Sequence, residues 1–349
     1  MESYDRILVR ATNWVGDAVM SLPALAALRR RFPRAHIAVL ARPWVADLYG
    51  GEPFADEIIP YAGRGWRSRR EAADRLRQMG FECAVLLQNA FDAALVARLA
   101  GVPRRIGYDR DARGWLLTDA IEVPRRGTIP AHESYYYLEL LRRVGWVESL
   151  PGEAYIRLEG AAAAREAGAR RFAAEGIEGV VGVSPGAAFG SAKRWFPERF
   201  AEAAVALSRE LNATIALFGS ADEKRLCEAV RDDLRRRGVA VRNYAGATTL
   251  GEFIERAAAC QLFLTNDSGA MHIASALGVP TVTVFGATNP VTTGPTGPLA
   301  RIVREQVACS PCLLRECPID HHCMDAVTAG QVVRTALDLL QREGSGQPR

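Results

Sequence analysis

The chain has 349 residues, of which 49% are hydrophobic and 24% charged, and a formal net charge of +4. This length exceeds one ordinary hydrophobic core and predicts two domains. The first residues, MESYDRILVRATNW, carry acids and lack the long apolar core of a signal peptide. No uninterrupted run of about 18 apolar residues occurs, so a membrane-spanning helix is not expected. We therefore expect a globular, cytoplasmic enzyme.

The basic charge is carried almost entirely by arginine, since only Lys193 and Lys224 are lysines among the 44 basic residues. Under such a bias, a position that stays lysine can mark a need for a compact ammonium, which draws attention to Lys193. Arginines cluster at residues 64–70, in a predicted glycine-containing loop that favours an anionic ligand. A second cluster, at residues 104–113, is typical of a solvated surface. No basic stripe with interleaved aromatics is present, so nucleic acid is not an expected partner.

Strands and helices alternate along the first half of the chain. The pattern predicts strands at residues 6–10, 36–40, 82–87 and 105–106, and helices at residues 17–31, 69–79, 92–100 and 133–144. Such alternation indicates a parallel sheet covered by helices on both faces. An alanine-rich helix at residues 159–175 is expected to close a first domain, residues 1–175.

The same alternation then restarts and predicts a second domain, residues 176–326. Its strands are predicted at residues 180–183, 214–218, 239–244, 262–264 and 281–285, and its helices at residues 197–211, 221–237, 249–259 and 270–277. A last helix within residues 327–343 could pack back on the first domain, and residues 344–349 are expected to be disordered. Ligands of such sheets bind beyond the carboxyl ends of the strands, so two facing domains would form a cleft.

Residues 261–290, QLFLTNDSGAMHIASALGVPTVTVFGATNP, carry the most informative motif. A buried strand leads through the polar turn at residues 265–269 into a helix, and a second buried strand follows. Unpaired N–H groups and the helix dipole at such a turn can hold a phosphate or diphosphate. Asp267 or Ser268 could instead simply cap the helix, and the two interpretations are compatible.

Three further segments of the second domain carry candidate ligand-binding residues. The loop at residues 184–195 combines small residues, which let backbone amides approach a ligand, with the positive charge of Lys193. Asp222 or Glu223 could accept hydrogen bonds from ribose hydroxyls, although helix capping accounts for either equally well. His272 lies on the helix after the turn, where a buried, hydrogen-bonded histidine is the commoner case, so no acid–base role is assigned.

In the first domain, the first strand leads into ATNWVGDA, residues 11–18. A dinucleotide site would require G-x-G-x-x-G here, so the single glycine disfavours a nicotinamide dehydrogenase. Asp17 is either a helix cap or a general base for an acceptor hydroxyl. His132 opens a later helix and could border the cleft or cap that helix.

Four of the seven cysteines fall in Cys309-x2-Cys312-x4-Cys317-x5-Cys323. In a cytoplasmic chain this grouping favours thiols or a metal over disulfides. The spacing suits a closed structural Zn²⁺ site, although it is not that of a standard zinc finger. Four protein ligands would leave no open position for catalysis, so any zinc here is expected to be structural.

Taken together, several segments resemble the ADP-heptose:lipopolysaccharide heptosyltransferases of glycosyltransferase family 9. They are WVGDAVMSLPAL, SPGAAFGSAKRWFPERFAEAA, LFGS and NDSGAMHIASALGVPTVTVFGATNP, in the family's order and across nearly the whole chain. The cysteine segment looks most like the heptosyltransferase II branch. The resemblance implies an α/β chain of the GT-B fold, with two doubly wound Rossmann-like domains facing across a cleft. It also implies inverting transfer without a catalytic metal or other cofactor.

The same resemblance implies residue roles. Asp17 corresponds to the catalytic aspartate, and Lys193 to the lysine at the donor diphosphate. The first domain would hold the acceptor through residues that include Asn13, Gly16, Arg64, Arg67, Arg70 and His132. The second would hold ADP-heptose through Ser184, Lys193, Ser220, Asp222, Glu223, Thr248, Thr249, Leu250, Asp267, Ser268, Gly269, Met271 and His272.

The implied partners are the ADP-sugar and an anionic lipid A–Kdo–heptose acceptor at the inner face of the cytoplasmic membrane. Peripheral attachment to that membrane is compatible with a cytoplasmic enzyme. Two other functions stay open from the sequence. A nucleotide-sugar epimerase of similar two-domain fold would convert the donor alone, and a non-catalytic nucleotide-sugar-binding protein would use Asp17 only as a cap.

Overall fold

The computed structural model describes residues 2–344, and the chain divides into two compact units. Unit 1 is Met1–Glu159 and unit 2 is Gly160–Arg349. Each unit is built around a six-stranded sheet whose paired strands all run parallel. The expected α/β class with two doubly wound sheets is therefore confirmed.

In unit 1 the strand order is β3-β2-β1-β4-β5-β6. The strands are Arg6–Arg10 (β1), His36–Ala41 (β2), Glu57–Pro60 (β3), Cys83–Leu86 (β4), Arg104–Tyr108 (β5) and Asp119–Ile121 (β6). The helices are Val15–Met20 (α1), Leu22–Arg31 (α2), Pro43–Ala46 (α3), Gly65–Gln78 (α4), Phe91–Leu99 (α5) and Ser134–Arg143 (α6).

Strand β1 lies inside the sheet because its side chains are apolar on both faces. Ile7, Leu8 and Val9 are buried, and the strand pairs with β2 on one side and β4 on the other. The sequence 17–31, predicted as one helix, is split at Ser21 into α1 and α2. The Ser21 hydroxyl donates to the Ala18 carbonyl, and Pro23 in the first turn of α2 fits the start of a new helix.

The prediction of an arginine-containing loop at residues 64–70 is wrong in its secondary structure. Helix α4 begins at Gly65, so most of these arginines are helical, and Arg64 is the residue that precedes the helix. Gly63 and Gly65 have positive φ angles of 62° and 73°, so the glycines make the turn into the helix and not a longer loop.

In unit 2 the strand order is β12-β11-β10-β7-β8-β9. The strands are Val180–Ser184 (β7), Thr214–Leu217 (β8), Val241–Asn243 (β9), Leu262–Asn266 (β10), Thr281–Val284 (β11) and Ala300–Val303 (β12). The helices are Ala161–Ala174 (α7), Pro197–Leu211 (α8), Lys224–Arg236 (α9), Leu250–Ala258 (α10), Gly269–Ala276 (α11), Pro290–Thr293 (α12), His322–Asp325 (α13) and Ala329–Gly344 (α14).

Two helices differ from their predicted places. Helix α7 was expected to close the first domain, but it packs on α10 and belongs to unit 2, so the boundary falls at residue 159 and not at 175. Gly168 permits this packing, because a Cβ there would lie 1.9 Å from the Glu255 carbonyl oxygen. Helix α14, which could have packed on the first domain, instead contributes Val332, Ala336 and Leu339 to the core of unit 2.

Within residues 2–344, no helix is long and apolar enough to cross a membrane. Of the tail predicted to be disordered, residues 345–349 lie outside the described residues, and Gly344 is the last residue of α14.

Candidate functional site

A buried ion pair at the carboxyl edge of the unit 2 sheet joins Lys193 to Asp267. Lys193 lies in a single 3-10 turn after β7, and Asp267 directly follows β10. The lysine Nζ is 2.6 Å from Asp267 Oδ2, and the two side chains are only 13% and 4% exposed. The Thr288 hydroxyl, in the loop after β11, donates to the same carboxylate oxygen. One buried carboxylate thus connects the ends of three strands.

The neutral side chain of Asn266, one residue before Asp267, also connects the end of β10 to the loop after β7. Asn266 is fully buried, and its Oδ1 accepts from the Trp195 backbone N–H at 3.0 Å. Its Nδ2 donates to the Pro185 carbonyl at 2.7 Å. Asn266 therefore holds both ends of the loop that carries Lys193.

The turn into α11 begins at a residue whose side chain does not cap the helix. Ser268 is the N-cap residue in an extended conformation, and its side chain makes no capping hydrogen bond. Asp267 is engaged by Lys193 and Thr288. The N–H groups of the first turn, beginning at Gly269, are therefore not capped by Ser268. Met271 and His272 are buried in the helix, at 0% and 5% exposure.

Several other predicted donor residues act as helix caps. The Ser220 backbone N–H donates to Glu223 Oε2 at 2.8 Å, and this pair forms a capping box. Thr249 forms a second capping box with Glu252 at the start of α10. The capping interpretation therefore holds for Glu223. The other predicted donor residues lie at the same sheet edge as Lys193, at the end of β7 or in the segments that follow β8 and β9; they are Ser184, Ser220, Asp222, Glu223, Thr248, Thr249 and Leu250.

The cysteine segment, residues 309–323, packs directly on two of these loops. The Ala192 backbone N–H donates to the Arg315 carbonyl at 3.0 Å, and the Leu313 N–H donates to the Ala287 carbonyl at 2.8 Å. Gly190 is necessary for this approach, because a Cβ there would lie 2.1 Å from the Arg315 carbonyl oxygen. The segment therefore braces the loop of Lys193 and the loop of Thr288.

The four cysteines of this segment are free thiols whose exposure differs. Cys309 is exposed, Cys312 and Cys317 are half-buried, and Cys323 is buried. Burial raises the pKa of the Cys323 thiol, and the negative charge of the other three thiolates raises the pKa further. In the described part of the chain, however, no group of three or more His, Cys, Asp or Glu side chains has a metal-holding arrangement.

Phe189, which sequence reasoning missed, lies beside the predicted donor lysine. Lys193 Nζ is 4.9 Å and the Arg315 guanidinium carbon 5.2 Å from the centroid of its ring. An aromatic face attracts cations, so the ring helps to hold both charges at this edge. Thr288 was also missed, and its only signal was a polar residue shortly after a buried strand.

In unit 1, Asp17 lies in the first turn of α1, after the carboxyl end of β1. Trp14 and not Asp17 occupies the N-cap position. The negative charge of Asp17 affects the pKa values of three other side chains. It adds to the effect of burial, which raises the pKa of Glu133, and it also contributes to the raised pKa values of Tyr137 and Tyr49. Glu133 is thus a second carboxyl group within electrostatic reach of Asp17, and the sequence pattern did not assign it a role.

The predicted acceptor residues fall into two groups. Asn13 lies in the loop after β1 and Gly16 in the first turn of α1, next to Asp17, and the Asn13 backbone N–H donates to Gln88 Oε1 at 3.0 Å. Arg64, Arg67 and Arg70 are all exposed around the start of α4. Within this group, Arg67 pairs with Glu71 one turn along the helix.

His132 contacts the start of α6, although Glu133 and not His132 occupies the N-cap position. Its Nδ1 is 2.8 Å from the Ser134 hydroxyl, and it accepts from the Ser134 backbone N–H at 3.2 Å.

Exposed aromatic rings follow five successive strands of unit 1. They are the only large apolar side chains that are exposed within residues 2–159, and they follow β1, β2, β3, β4 and β5 in the order Trp14, Trp44, Trp66, Phe91 and Trp115. Aromatic faces stack on the C–H faces of sugars, because a negative π-face attracts partly positive hydrogens. The carboxyl edge of this sheet therefore suits a saccharide.

The fold and these two edges define a class of protein. Each unit is a doubly wound sheet that presents its polar residues at the carboxyl ends of the strands, as nucleotide-binding sheets do. Unit 2 combines a buried lysine with N–H groups that Ser268 does not cap, while unit 1 combines a carboxylate with exposed aromatic faces. This combination is typical of glycosyltransferases that use nucleotide sugars.

The chain belongs to glycosyltransferase family 9, the heptosyltransferase family, whose model matches residues 69–322. It is 33% identical over 306 residues to lipopolysaccharide heptosyltransferase 2 of Escherichia coli strain K12, covering 86% of this chain and 88% of that protein. It is 28% identical over 344 residues to lipooligosaccharide heptosyltransferase 2 of Campylobacter jejuni, covering 96% and 98%. The solved E. coli ADP-heptose lps heptosyltransferase II superposes with a TM-score of 0.82 at 30% identity, over 97% of this chain and 99% of that one.

The contact between Thr288 and Asp267 predicts a loss of stability when the hydroxyl is removed. A hydrogen bond to a charged group contributes about 1.5–3 kcal/mol, so Thr288→Val should lower the free energy of unfolding by about that amount. The matched control is Thr283→Val on β11. The Thr283 hydroxyl is buried without a hydrogen-bond partner among residues 2–344, so its loss should be neutral or stabilising. Equal denaturant midpoints for the two variants would contradict the role of Thr288.

Proposed function

We propose that this chain transfers a heptose from ADP-heptose to the heptose/Kdo inner core of lipopolysaccharide, with inversion at the anomeric carbon. The observation that carries the proposal is the buried set of Lys193, Asp267 and Thr288 beside the N-terminus of α11, in a member of this family. The donor and acceptor classes come from the relatives, which are named for lipopolysaccharide heptosyltransfer and, in the solved E. coli structure, for ADP-heptose.

In the proposed reaction, the acceptor hydroxyl oxygen forms a bond to the anomeric carbon while the bond from that carbon to the ADP oxygen breaks. Asp17 takes the hydroxyl proton as general base. ADP leaves with the bonding electron pair, and Lys193 together with the N–H groups of α11 stabilises the added charge. Attack opposite the leaving group inverts the configuration, and no step requires a metal ion.

The proposed donor site in unit 2 comprises the residues that share the Lys193 sheet edge. The diphosphate would lie at Lys193, Asp267, Ser268 and Gly269, with Met271 and His272 shaping the helix behind it. Ribose and adenine would lie toward the capped turns, at Ser184, Ser220, Asp222, Glu223, Thr248, Thr249 and Leu250.

The proposed acceptor site in unit 1 lies around Asp17, Asn13 and Gly16. The exposed arginines Arg64, Arg67 and Arg70 would meet the anionic inner core, and His132 would border the site. Because this acceptor is lipid-linked, the enzyme would work in the cytoplasm at the inner face of the cytoplasmic membrane. The aromatic rings at this edge support a saccharide ligand.

An ADP-release assay tests the proposal against the two alternatives. ADP-heptose is incubated with the protein, with and without a truncated inner-core acceptor. We expect ADP release only when the acceptor is present. Conversion of the sugar without acceptor would indicate an epimerase, and tight ADP-heptose binding without any turnover would indicate a non-catalytic binding protein.

Asp17→Asn should lower kcat by about 10²–10⁴-fold, because general-base catalysis contributes about that factor. ADP binding, measured by calorimetry, should stay near the wild-type value. Asp74→Asn is the control, since Asp74 is an exposed helical carboxylate that pairs with Arg77. A folded Asp17→Asn enzyme with near wild-type kcat would remove the general-base assignment.

Lys193→Met should weaken ADP binding by about 10- to 100-fold, the factor expected for a lost charge-assisted hydrogen bond. The same change leaves Asp267 without its cation, so Lys193→Met/Asp267→Asn is measured beside it to separate misfolding from lost binding. Lys193→Arg should rescue only partly, because a guanidinium fork replaces a compact charge. Lys224→Met is the control at the other lysine, which is exposed. Unchanged ADP affinity in both the single and the double variant would sink the diphosphate role.

A structural zinc at Cys309, Cys312, Cys317 and Cys323 stays a prediction beside this function. It predicts about one equivalent of zinc in protein purified without added metal, and a lower melting temperature after chelation. Turnover should persist in EDTA for as long as the protein stays folded. Metal-free protein in which all four thiols react with Ellman's reagent would leave the segment as a packed brace without a metal.

A further inference from the structure

The loop after β1 holds two arginine side chains on one amide oxygen. Asn13 Oδ1 accepts from Arg10 Nη2 at 2.9 Å and from Arg42 Nε at 3.2 Å. Arg10 is the last residue of β1 and is 2% exposed, whereas Arg42 follows β2 and is half-buried. Two cations therefore meet at the loop that leads to Asp17.

Neither arginine forms an ion pair with any carboxylate among residues 2–344. Their other hydrogen bonds go to backbone carbonyls, such as Leu40 for Arg10 and Ala62 for Arg42. The nearby carboxylate of Asp92 is engaged by Arg69 and by the Tyr61 hydroxyl. The positive charge of the pair is therefore not neutralised by the described residues of unit 1.

The buried guanidinium of Arg10 is incompletely hydrogen-bonded. Its Nε is buried and has no hydrogen-bond partner within the described residues. Burial and the positive charge of Arg42 lower the pKa of Arg10 to about 10, so the guanidinium is still charged at neutral pH. A desolvated charge of this kind favours an anion nearby.

The two hydrogen bonds also fix the orientation of the Asn13 amide. Because Oδ1 accepts from both arginines, Nδ2 is the group left to donate, and among residues 2–344 it has no acceptor. The same holds for Arg42 Nη2, which shares a fork with the Nε that binds Asn13. Both side chains are half-buried, and neither nitrogen is among the fully buried atoms that lack a partner within the described residues. The loop thus presents two donors without a protein acceptor, and a buried charge lies behind them.

We propose that Asn13 Nδ2 and Arg42 Nη2 bind a carboxylate or phosphate oxygen of the acceptor saccharide, with Arg10 supplying the charge behind them. The inference rests on the proposed function, because it names the anionic group that the acceptor site would recognise. Trp44 supports a saccharide as its source. Its indole N–H donates to the Asn13 carbonyl at 3.0 Å, and its ring is 55% exposed beside this pair.

The variant Asn13→Asp distinguishes anion binding from a purely structural role of the two arginines. The new carboxylate can still accept from Arg10 and Arg42, with charge assistance, so the loop and the melting temperature should be preserved or improved. The outward donor, however, becomes an oxygen that repels an anion. Binding of the acceptor and stability should therefore change in opposite directions only if the site binds an anion.

The experiment measures acceptor KM, donor KM and melting temperature for the full-length protein. Asn13→Asp and Arg42→Gln should each raise acceptor KM by about 10- to 100-fold, as expected for a lost charge-assisted contact, and leave donor KM unchanged. Arg30→Ala is the control, because Arg30 is an exposed arginine in the last turn of α2, ahead of the start of β2. Wild-type acceptor KM in Asn13→Asp would overturn the proposal, and Arg42→Gln decides the matter should Asn13→Asp fail to fold.

Two modified acceptors identify the anionic group. A carboxyl-reduced acceptor and a phosphate-free acceptor are each compared with the parent compound, using wild-type enzyme and Asn13→Asp. The modification that removes the bound group should raise KM for the wild type and have little effect on the variant. Equal KM ratios in both proteins for both modifications would overturn the inference. Acceptor-dependent ADP release by the wild type is measured first, so its absence would refute the proposed function and not this site alone.

Discussion

The arrangement of unit 2 depends on how one buried carboxylate is neutralised. Asp267 is 4% exposed, and a charge so far from water is costly unless it is paired and hydrogen-bonded. Lys193 supplies the charge and Thr288 a hydrogen bond, and the three residues come from loops after three different strands. Moving the Lys193 loop away would leave Asp267 without its cation. A buried carboxylate without a cation is strongly destabilising, so the pair favours the observed arrangement of these loops.

Unit 1, by contrast, has buried positive charge at the carboxyl edge of its sheet. Arg10 and Arg113 are 2% and 0% exposed, and their hydrogen bonds go to carbonyl and amide oxygens, not to carboxylates. Burial lowers the pKa of each to about 10, and both stay charged at neutral pH. Unit 1 thus keeps buried positive charge that no described acid pairs with directly, whereas unit 2 neutralises its lysine within the protein. Under the proposed function, the first arrangement would suit an anionic acceptor, and backbone N–H groups would donate to the diphosphate beside Lys193.

The sequence predicted the repeating parallel-sheet architecture because buried strands and amphipathic helices leave strong periodic patterns. It failed where tertiary contacts decide. The alanine-rich sequence of α7 does not show which unit the helix packs against. The close contact with α10 at Gly168 places the helix in unit 2. Short edge strands such as β3, β6 and β12 were missed because three or four residues are too few to show a period.

The sequence also predicted only part of the candidate site. Strand-end polar residues pointed to Asp17, Lys193 and Asp267, since parallel strands bring such residues to one edge. Thr288, Phe189 and the Arg10–Arg42 pair were not predictable, because their partners are distant in the sequence and only the fold brings them together.

The choice of lysine at position 193 follows from the number of partners that one cation must serve. The ammonium is 2.6 Å from Asp267 and 4.9 Å from the centroid of Phe189, and its three donors point in different directions. Under the proposed function, one donor would bind Asp267 while another stays available to a diphosphate oxygen. A guanidinium would place its donors in one plane and favour bidentate pairing with the carboxylate, which would occupy the fork that a phosphate needs. In a chain that uses arginine almost everywhere else, this geometry accounts for a lysine at 193, whereas the exposed Lys224 at the start of α9 shows no such constraint.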